Sequence, residues 1–320
     1  MKSLSYTRSL NLTSSLQRLD ELHKQLLLIP LAPSTELQLQ WEAGTQKIQY
    51  LLALAGTVVA PDGKVISPTL IGELLLHGDT KYTPIFKEEV VSYRSALDYL
   101  YRHWLVNPKV ITLDDLLAFY QTIFPKETLI GDEVELTSSL QYIQINPEHP
   151  LIQAALAQIL VLSLSPFSAH NEQFSHLVFL LFMYKFGYDL RRLPVYEEQY
   201  VLDITNYKNM ILQSHRLENV TPWLEYVCQR VIIAAQKTVE KVQQEKNNPS
   251  HSNAALFALA DRQQLIMNLF NAPGIKVSNR MVQKKFRVSQ ITASRDLAKL
   301  ADSGLIFAIG KGRSTYYTKI

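Results

Sequence analysis

LSPFSAHNEQFSH, residues 164–176, is a polar loop between two of the most apolar runs of the chain, HPLIQAALAQILVLSL and FSHLVFLLFMYKFGYDL. Each run is apolar on nearly every face, and a helix of that kind belongs in the middle of a bundle. A polar loop joining two central helices looks like the rim of a buried site. Its composition is odd for one, because Glu172 is its only charged residue and no carboxylate stands beside the Pro166-Phe167 step. The loop is an active site, the remains of one, or an ordinary connection.

The rest of the chain narrows the choice. At 320 residues it has room for two domains. With 47% hydrophobic and 19% charged residues it has the balance of a soluble globular protein. Gly is scarce, at 11, and long stretches carry helical periodicity, so a mainly α fold is expected. Cys228 is the one cysteine, set in the helical pattern WLEYVCQRVIIAA. It excludes an internal disulfide framework and suits a buried helix position in a reducing, cytoplasmic compartment. The N-terminal residues lack the apolar core of a secretory signal. FSHLVFLLFMYKFG falls short of the roughly 20 apolar residues of a membrane span, so no membrane partner is expected.

Composition marks off residues 1–245, 246–256 and 257–320, and the division of the first at 88/89 is implied by the family resemblance of residues 89–230. Residues 1–88 contain helical runs broken by PLAPS and by the loop VAPDGKVISP, and are read as a helical region packing on the core domain. Residues 89–245 form that core domain; within it the alternation VELTSSLQYIQI, residues 134–145, is the best place for a short β-hairpin. Residues 246–256 open with the polar, Pro-containing KNNPSHSN and read as a linker. Residues 257–320 form a second domain.

The charge is uneven. Residues 257–320 carry eleven Lys or Arg against three Asp or Glu, a net +8, which leaves −5 for the other 256 residues of a chain whose total is +3. In this basic region one helix precedes Pro273-Gly274. A second, NRMVQKKF, is capped by Ser278, and a third, QITASRDLAKLAD, is capped by Ser289. LIFAI and STYYTKI flank GKGR as a β-hairpin. On the third helix, Ala293, Leu297, Leu300 and Ala301 share one face, while Thr292, Arg295 and Lys299 share another. One stripe can anchor the helix while the other presents donors to bases and phosphates. Lys311 and Arg313 at the hairpin tip could reach the backbone or minor groove. Three helices and a hairpin, with TASRDLAKLADSGLI…GKGRSTYY, resemble a winged helix-turn-helix domain over about 60 residues. DNA is the partner this implies; a winged helix used for protein contacts is the competing reading.

EVVSYRSALDYL, HPLIQAALAQ, the loop, LLFMYKFGYDLRRL and NVTPWLEYV together resemble the Fic/Doc (Fido) family of nucleotidyl-transferring proteins, across roughly residues 89–230. The family often carries a C-terminal winged helix. Its motif, His-Pro-Phe-x-Asp/Glu-Gly-Asn-Gly-Arg-x-x-Arg, supplies a general base, a Mg²⁺ ligand, a backbone phosphate nest and phosphate-binding guanidinium groups. Aligned with that motif, Pro166, Phe167 and Asn171 are kept. Ser165 stands at the base, Ala169 at the metal ligand, His170 and Glu172 at the two glycines, and Gln173 and His176 at the two arginines. Serine is no base near neutral pH and alanine binds no metal. A carboxylate at Glu172 opposes an anionic ligand.

TLIGEL, residues 69–74, partly matches the family's inhibitory helix at Thr69 and Glu73, though its arginine partner would be His176. VELTSSLQYIQI falls where the family has its target-docking hairpin.

The expected protein is a catalytically degenerate Fic-like domain joined to a DNA-binding winged helix, acting as a regulator and able to form a homodimer. No catalytic residue, metal or cofactor is expected. The alternative is a nucleotide-binding or AMP-transferring enzyme with a repurposed pocket, using His170, Asn171 and Glu172, with ATP and Mg²⁺ only if the pocket is still competent. A metal group of His170, Glu172 and His176 is a further reading, set against a loop that drifted after catalysis was lost. A third reading is an interaction module docking a protein strand on the hairpin near 134–145.

Overall fold

Helices dominate the computed structural model, which describes residues 4–61, 63–77, 84–145, 148–216, 219–247, 259–270, 275–302, 305–310 and 315–318. In chain order the helices are α1 (Leu10–Leu28), α2 (Pro33–Leu54), α3 (Pro68–His77), α4 (Pro84–Trp104), α5 (Leu113–Ile123), α6 (Glu133–Ile145), α7 (Pro150–Leu164) and α8 (Asn171–Lys185). They continue as α9 (Tyr196–Leu202), α10 (Ile204–Arg216), α11 (Thr221–Asn247), α12 (Asp261–Met267), α13 (Asn279–Phe286) and α14 (Gln290–Asp302). Three short strands, β1 (Val277–Ser278), β2 (Phe307–Ile309) and β3 (Tyr316–Thr318), form the one sheet among the described residues. No described helix is long and apolar enough to cross a membrane.

The chain divides into two units, Met1–Ile29 with Glu42–Gln243, and Pro30–Trp41 with Gln244–Ile320. In the first, α7 and α8 pack along each other and are buried on nearly every face. Buried Trp223 of α11 donates its indole N–H to the Ala155 carbonyl of α7, at 2.8 Å. Helix α1 lays Leu12, Leu16, Leu19, Leu22 and Leu26 on the core, started by Ser9, whose hydroxyl accepts the Leu12 N–H. Its C-terminal carbonyls, Leu26 and Ile29, accept from the Arg191 guanidinium at 3.1 and 2.8 Å. Arg191 reaches them from a left-handed turn in which Leu190, Arg191 and Arg192 all have positive φ, at 46°, 60° and 65°. For non-glycine residues that conformation is costly, and it persists because the surroundings over-determine it.

The hairpin expected at residues 134–145 does not form; the segment is helix α6. Two signals outweigh the alternation. Leu136, Ser139, Leu140 and Ile143 are the buried positions, at i, i+3, i+4 and i+7. Asp132 caps the helix by accepting the N–H groups of Val134 and Glu135 at 2.8 and 3.1 Å. The strand-docking module loses its premise with the hairpin.

In the second unit Ser278 caps α13 by accepting the Met281 N–H, and Ser289 accepts the Thr292 N–H at the start of α14. Strands β2 and β3 pair antiparallel, Ala308 opposite Tyr317, as LIFAI and STYYTKI suggested. The sequence did not suggest β1, which pairs with the other edge of β3, giving the order β1-β3-β2. Beneath the sheet lies a core of Ile266, Met267, Phe270, Val282, Ala293, Leu297, Leu300 and Ile306, with Leu37 against it.

Candidate functional site

The loop between α7 and α8 spends its polar groups on itself and its neighbours. Ser165 ends α7 in the left-handed region (φ 42°, ψ 55°), its N–H on the Val161 carbonyl and its hydroxyl directed to the Leu162 carbonyl at 3.3 Å. The Pro166 carbonyl accepts from the N–H groups of both Ile130 and Gly131, at 2.8 and 2.9 Å. This approach requires glycine: a β-carbon on Gly131 would lie 2.9 Å from Pro166 Cα and Cβ. Leu129 and Phe167 form an antiparallel bridge, and the Ser168 N–H continues it to the Thr128 carbonyl at 2.9 Å. The Ser168 hydroxyl donates to Glu127, at 2.5 Å. The edge of the loop is thus already paired from within the chain.

Asn171 closes the loop. Its side-chain oxygen accepts the Phe167 N–H at 3.0 Å and its amide donates to the Phe167 carbonyl at 2.7 Å. The Phe167 ring is buried and stacked on Tyr120, 3.8 Å between centroids, and the Tyr120 hydroxyl donates to the Ala169 carbonyl at 2.8 Å. His170 precedes α8 at φ 56°, ψ 21°, a conformation for which glycine is the default, and makes no side-chain cap. Its ring stacks on Phe124 at 4.3 Å.

The following turn points inward. His176 is only 2% exposed, its Nδ1 is 3.1 Å from Gln158 Nε2, and its Nε2 is 3.0 Å from the Tyr207 hydroxyl. The Gln158 amide can only donate, so Nδ1 accepts and the proton sits on Nε2. Burial holds the ring neutral, its pKa down to about 3. Gln173 is buried as well. Glu172 has its pKa raised by burial, with Lys208 opposing, and one carboxylate oxygen, Oε1, is buried without a hydrogen bond. His170, Glu172 and His176 do not converge: His170 faces Phe124, and His176 is held by Gln158 and Tyr207. Among the described residues no group of three or more His, Cys, Asp or Glu could hold a metal ion. On α3, Glu73 is exposed while Leu70, Ile71 and Leu74 are buried.

In the second unit the helix bearing the predicted DNA-contacting residues has two unlike sides. Ala293, Asp296, Leu297 and Leu300 are buried. Asp296 accepts from Arg262 at 2.5 Å and from Gln263 at 3.1 Å, fixing α14 to α12. Arg295 and Lys299 are exposed on the opposite side. Thr292 is half-buried, and its hydroxyl lies 3.0 Å from that of Ser289, within the helix cap. Sequence reasoning passed over Ile291, 65% exposed, and over Arg280, Lys284, Lys285 and Arg287, which are exposed on or just after α13. Their lysines and arginines are visible in the charge count, but a helix of 8 residues is too short for its periodicity to stand out. Lys311 and Arg313 lie outside the described residues.

No protein-family model matches the sequence, and no curated protein matches it. Solved structures do. A Fic family protein from Desulfovibrio desulfuricans G20 superposes with a TM-score of 0.62 at 13% identity, over 98% of this chain and 97% of its own. The fold is a Fic fold. A Fic-1 fragment from C. elegans agrees, with a TM-score of 0.52 at 17% identity over 71% of each chain. A substituted form of that fragment gives a TM-score of 0.53 at 17% identity, over 71% of this chain and 72% of its own.

Proposed function

We propose that this Fic-fold protein is a catalytically degenerate member of its fold class that binds duplex DNA as a regulator, through a C-terminal winged helix. The observation that carries the reading is the exposure of Arg280, Lys284, Lys285, Arg295 and Lys299 on α13 and α14, in a region with a net charge of +8. Helices α12, α13 and α14 with the strand order β1-β3-β2 supply the frame. A positive face on a small helical frame binds the phosphate backbone and aligns one helix with the groove.

The loop supports the degenerate half of the proposal. Its residues do not fit Mg²⁺-ATP. The acidic position is Ala169, Asn171 is committed to the Phe167 backbone, and the second arginine position is a buried neutral His176. Losing a general base alone forfeits about 10² to 10⁴-fold in rate, and here the charges that would hold a triphosphate are missing too. On this reading the helical unit serves dimerisation or senses a partner.

The test is selection of fragmented genomic DNA by the full-length protein at fixed salt. Recovery of a common site is the expected result, with affinity falling steeply as salt rises. Recovery of fragments at random, or none at 50 mM salt (about the lower end of the usual range), ends the DNA reading.

A further inference from the structure

The solvent side of α14 is not uniformly polar. Going round the helix at 100° per residue, the exposed arc runs Ser294, Ala298, Ile291, Asp302, Arg295 and Lys299, with Asp302 at the far end of the helix, about three turns from Ile291. Ser294 is already engaged, its hydroxyl accepting from the Asn279 amide at 2.7 Å. Asn279 also donates to the Gln290 carbonyl at 3.3 Å, so the start of α14 is held against the start of α13. Ala298 is small. What projects from the first two turns is one large β-branched hydrocarbon, Ile291, 65% exposed, and one guanidinium a helical turn later, Arg295.

Nothing in the fold calls for isoleucine there. It covers none of the core that Ala293, Leu297 and Leu300 fill, and a branched side chain is a weaker helix former than alanine. In a major groove the same side chain has a partner, since thymine offers an apolar C5-methyl at the groove surface and guanine offers paired acceptors to an arginine. Residues four apart along a helix are separated by about 6 Å of rise, which is one to two base-pair steps.

Resting on the DNA reading above, we propose that Ile291 reads a thymine methyl and Arg295 a guanine one or two steps away, so that the bound site contains both. The identity of the base under Ile291 is read by van der Waals contact, with no hydrogen bond.

The experiment removes the methyl from the DNA. The best duplex from selection of randomised oligonucleotides by the full-length protein is remade with deoxyuridine in place of each thymidine in turn, and binding is measured by fluorescence anisotropy. At one position the loss of the methyl should weaken binding about fourfold, the effect of removing one buried methyl-sized group. Ile291→Ala should abolish that difference, the two duplexes then binding equally, while Ile291→Val should retain part of it. Alanine at an exposed helix site keeps the helix, so misfolding does not confuse the result. A selected duplex without thymine, or a deoxyuridine effect that survives Ile291→Ala, overturns the assignment and leaves DNA binding standing. Failure to select any duplex overturns both.

Discussion

The α7–α8 loop and the outer side of α14 are both polar regions next to the start of a helix, and they dispose of their side chains in opposite ways. In the loop, Asn171, Ser168 and His176 each bond to another part of the same unit. On α14, Arg295 and Lys299 are exposed while the polar group the fold uses, Asp296, is turned to the back. Side chains that end on their own fold contribute stability, and those that end in water are available to a partner. On the reading proposed above, that contrast separates the remains of a site from a working one.

Breaking the outward half should give the largest effect. Arg295→Ala with Lys299→Ala should weaken duplex binding by about 10²-fold and, through the lysine's phosphate contact, lower the slope of log affinity against log salt by roughly one, read by anisotropy over a salt series. A double variant that binds as the parent does would leave α14 without a role in binding.

The inward half makes a pH prediction. His176 is held neutral in the fold, its pKa lowered from 6.5 to about 3, so the folded state takes up fewer protons than the unfolded one. Its stability is then full above pH 6.5 and falls as pH drops from 6.5 toward 3, by up to about 1.4 kcal/mol per unit. Urea unfolding at pH 7 and pH 5 should therefore differ by roughly 2 kcal/mol from this group, and His176→Gln should remove that part. An acid dependence unchanged in the variant would mean that His176 is not the group responsible.

Smaller effects sharpen the comparison. Gly131→Ala forces a β-carbon against Pro166 and should cost about 1 to 3 kcal/mol in thermal or urea unfolding. Asn171→Ala removes two bonds to the Phe167 backbone and should cost about 1 to 2 kcal/mol, leaving duplex affinity unchanged. For calorimetry with ATP and Mg²⁺ the expected effect is nil; a saturable heat of binding would move the loop from remnant to site.

Much of this was legible in the sequence because the signals were local. The apolar runs around residues 164–176 gave α7 and α8, and the serines at 278 and 289 marked the starts of α13 and α14. Residues 134–145 misled because alternation over a short window is shared by strands and by helices with few buried positions; the cap at Asp132 was the better signal. Strand β1 is two residues long, too short to carry a period. The pairing of residues 128–131 with the loop, and of His176 with Gln158 and Tyr207, joins segments distant in the chain that no spacing rule connects.

The buried Asp296 has a consequence for how this protein can diverge. By tying α14 to Arg262 and Gln263 from behind, it lets the fold hold the helix without reference to what grows on its front. Positions 291, 295 and 299 can then exchange by single mutations at little cost in stability, and on the proposed DNA reading each exchange would address a different target. The loop at 165–176 has no such freedom, because its residues are now part of the frame. Descendants of this chain would be expected to vary fastest on the front of α14 and slowest where a catalytic motif would once have been sought.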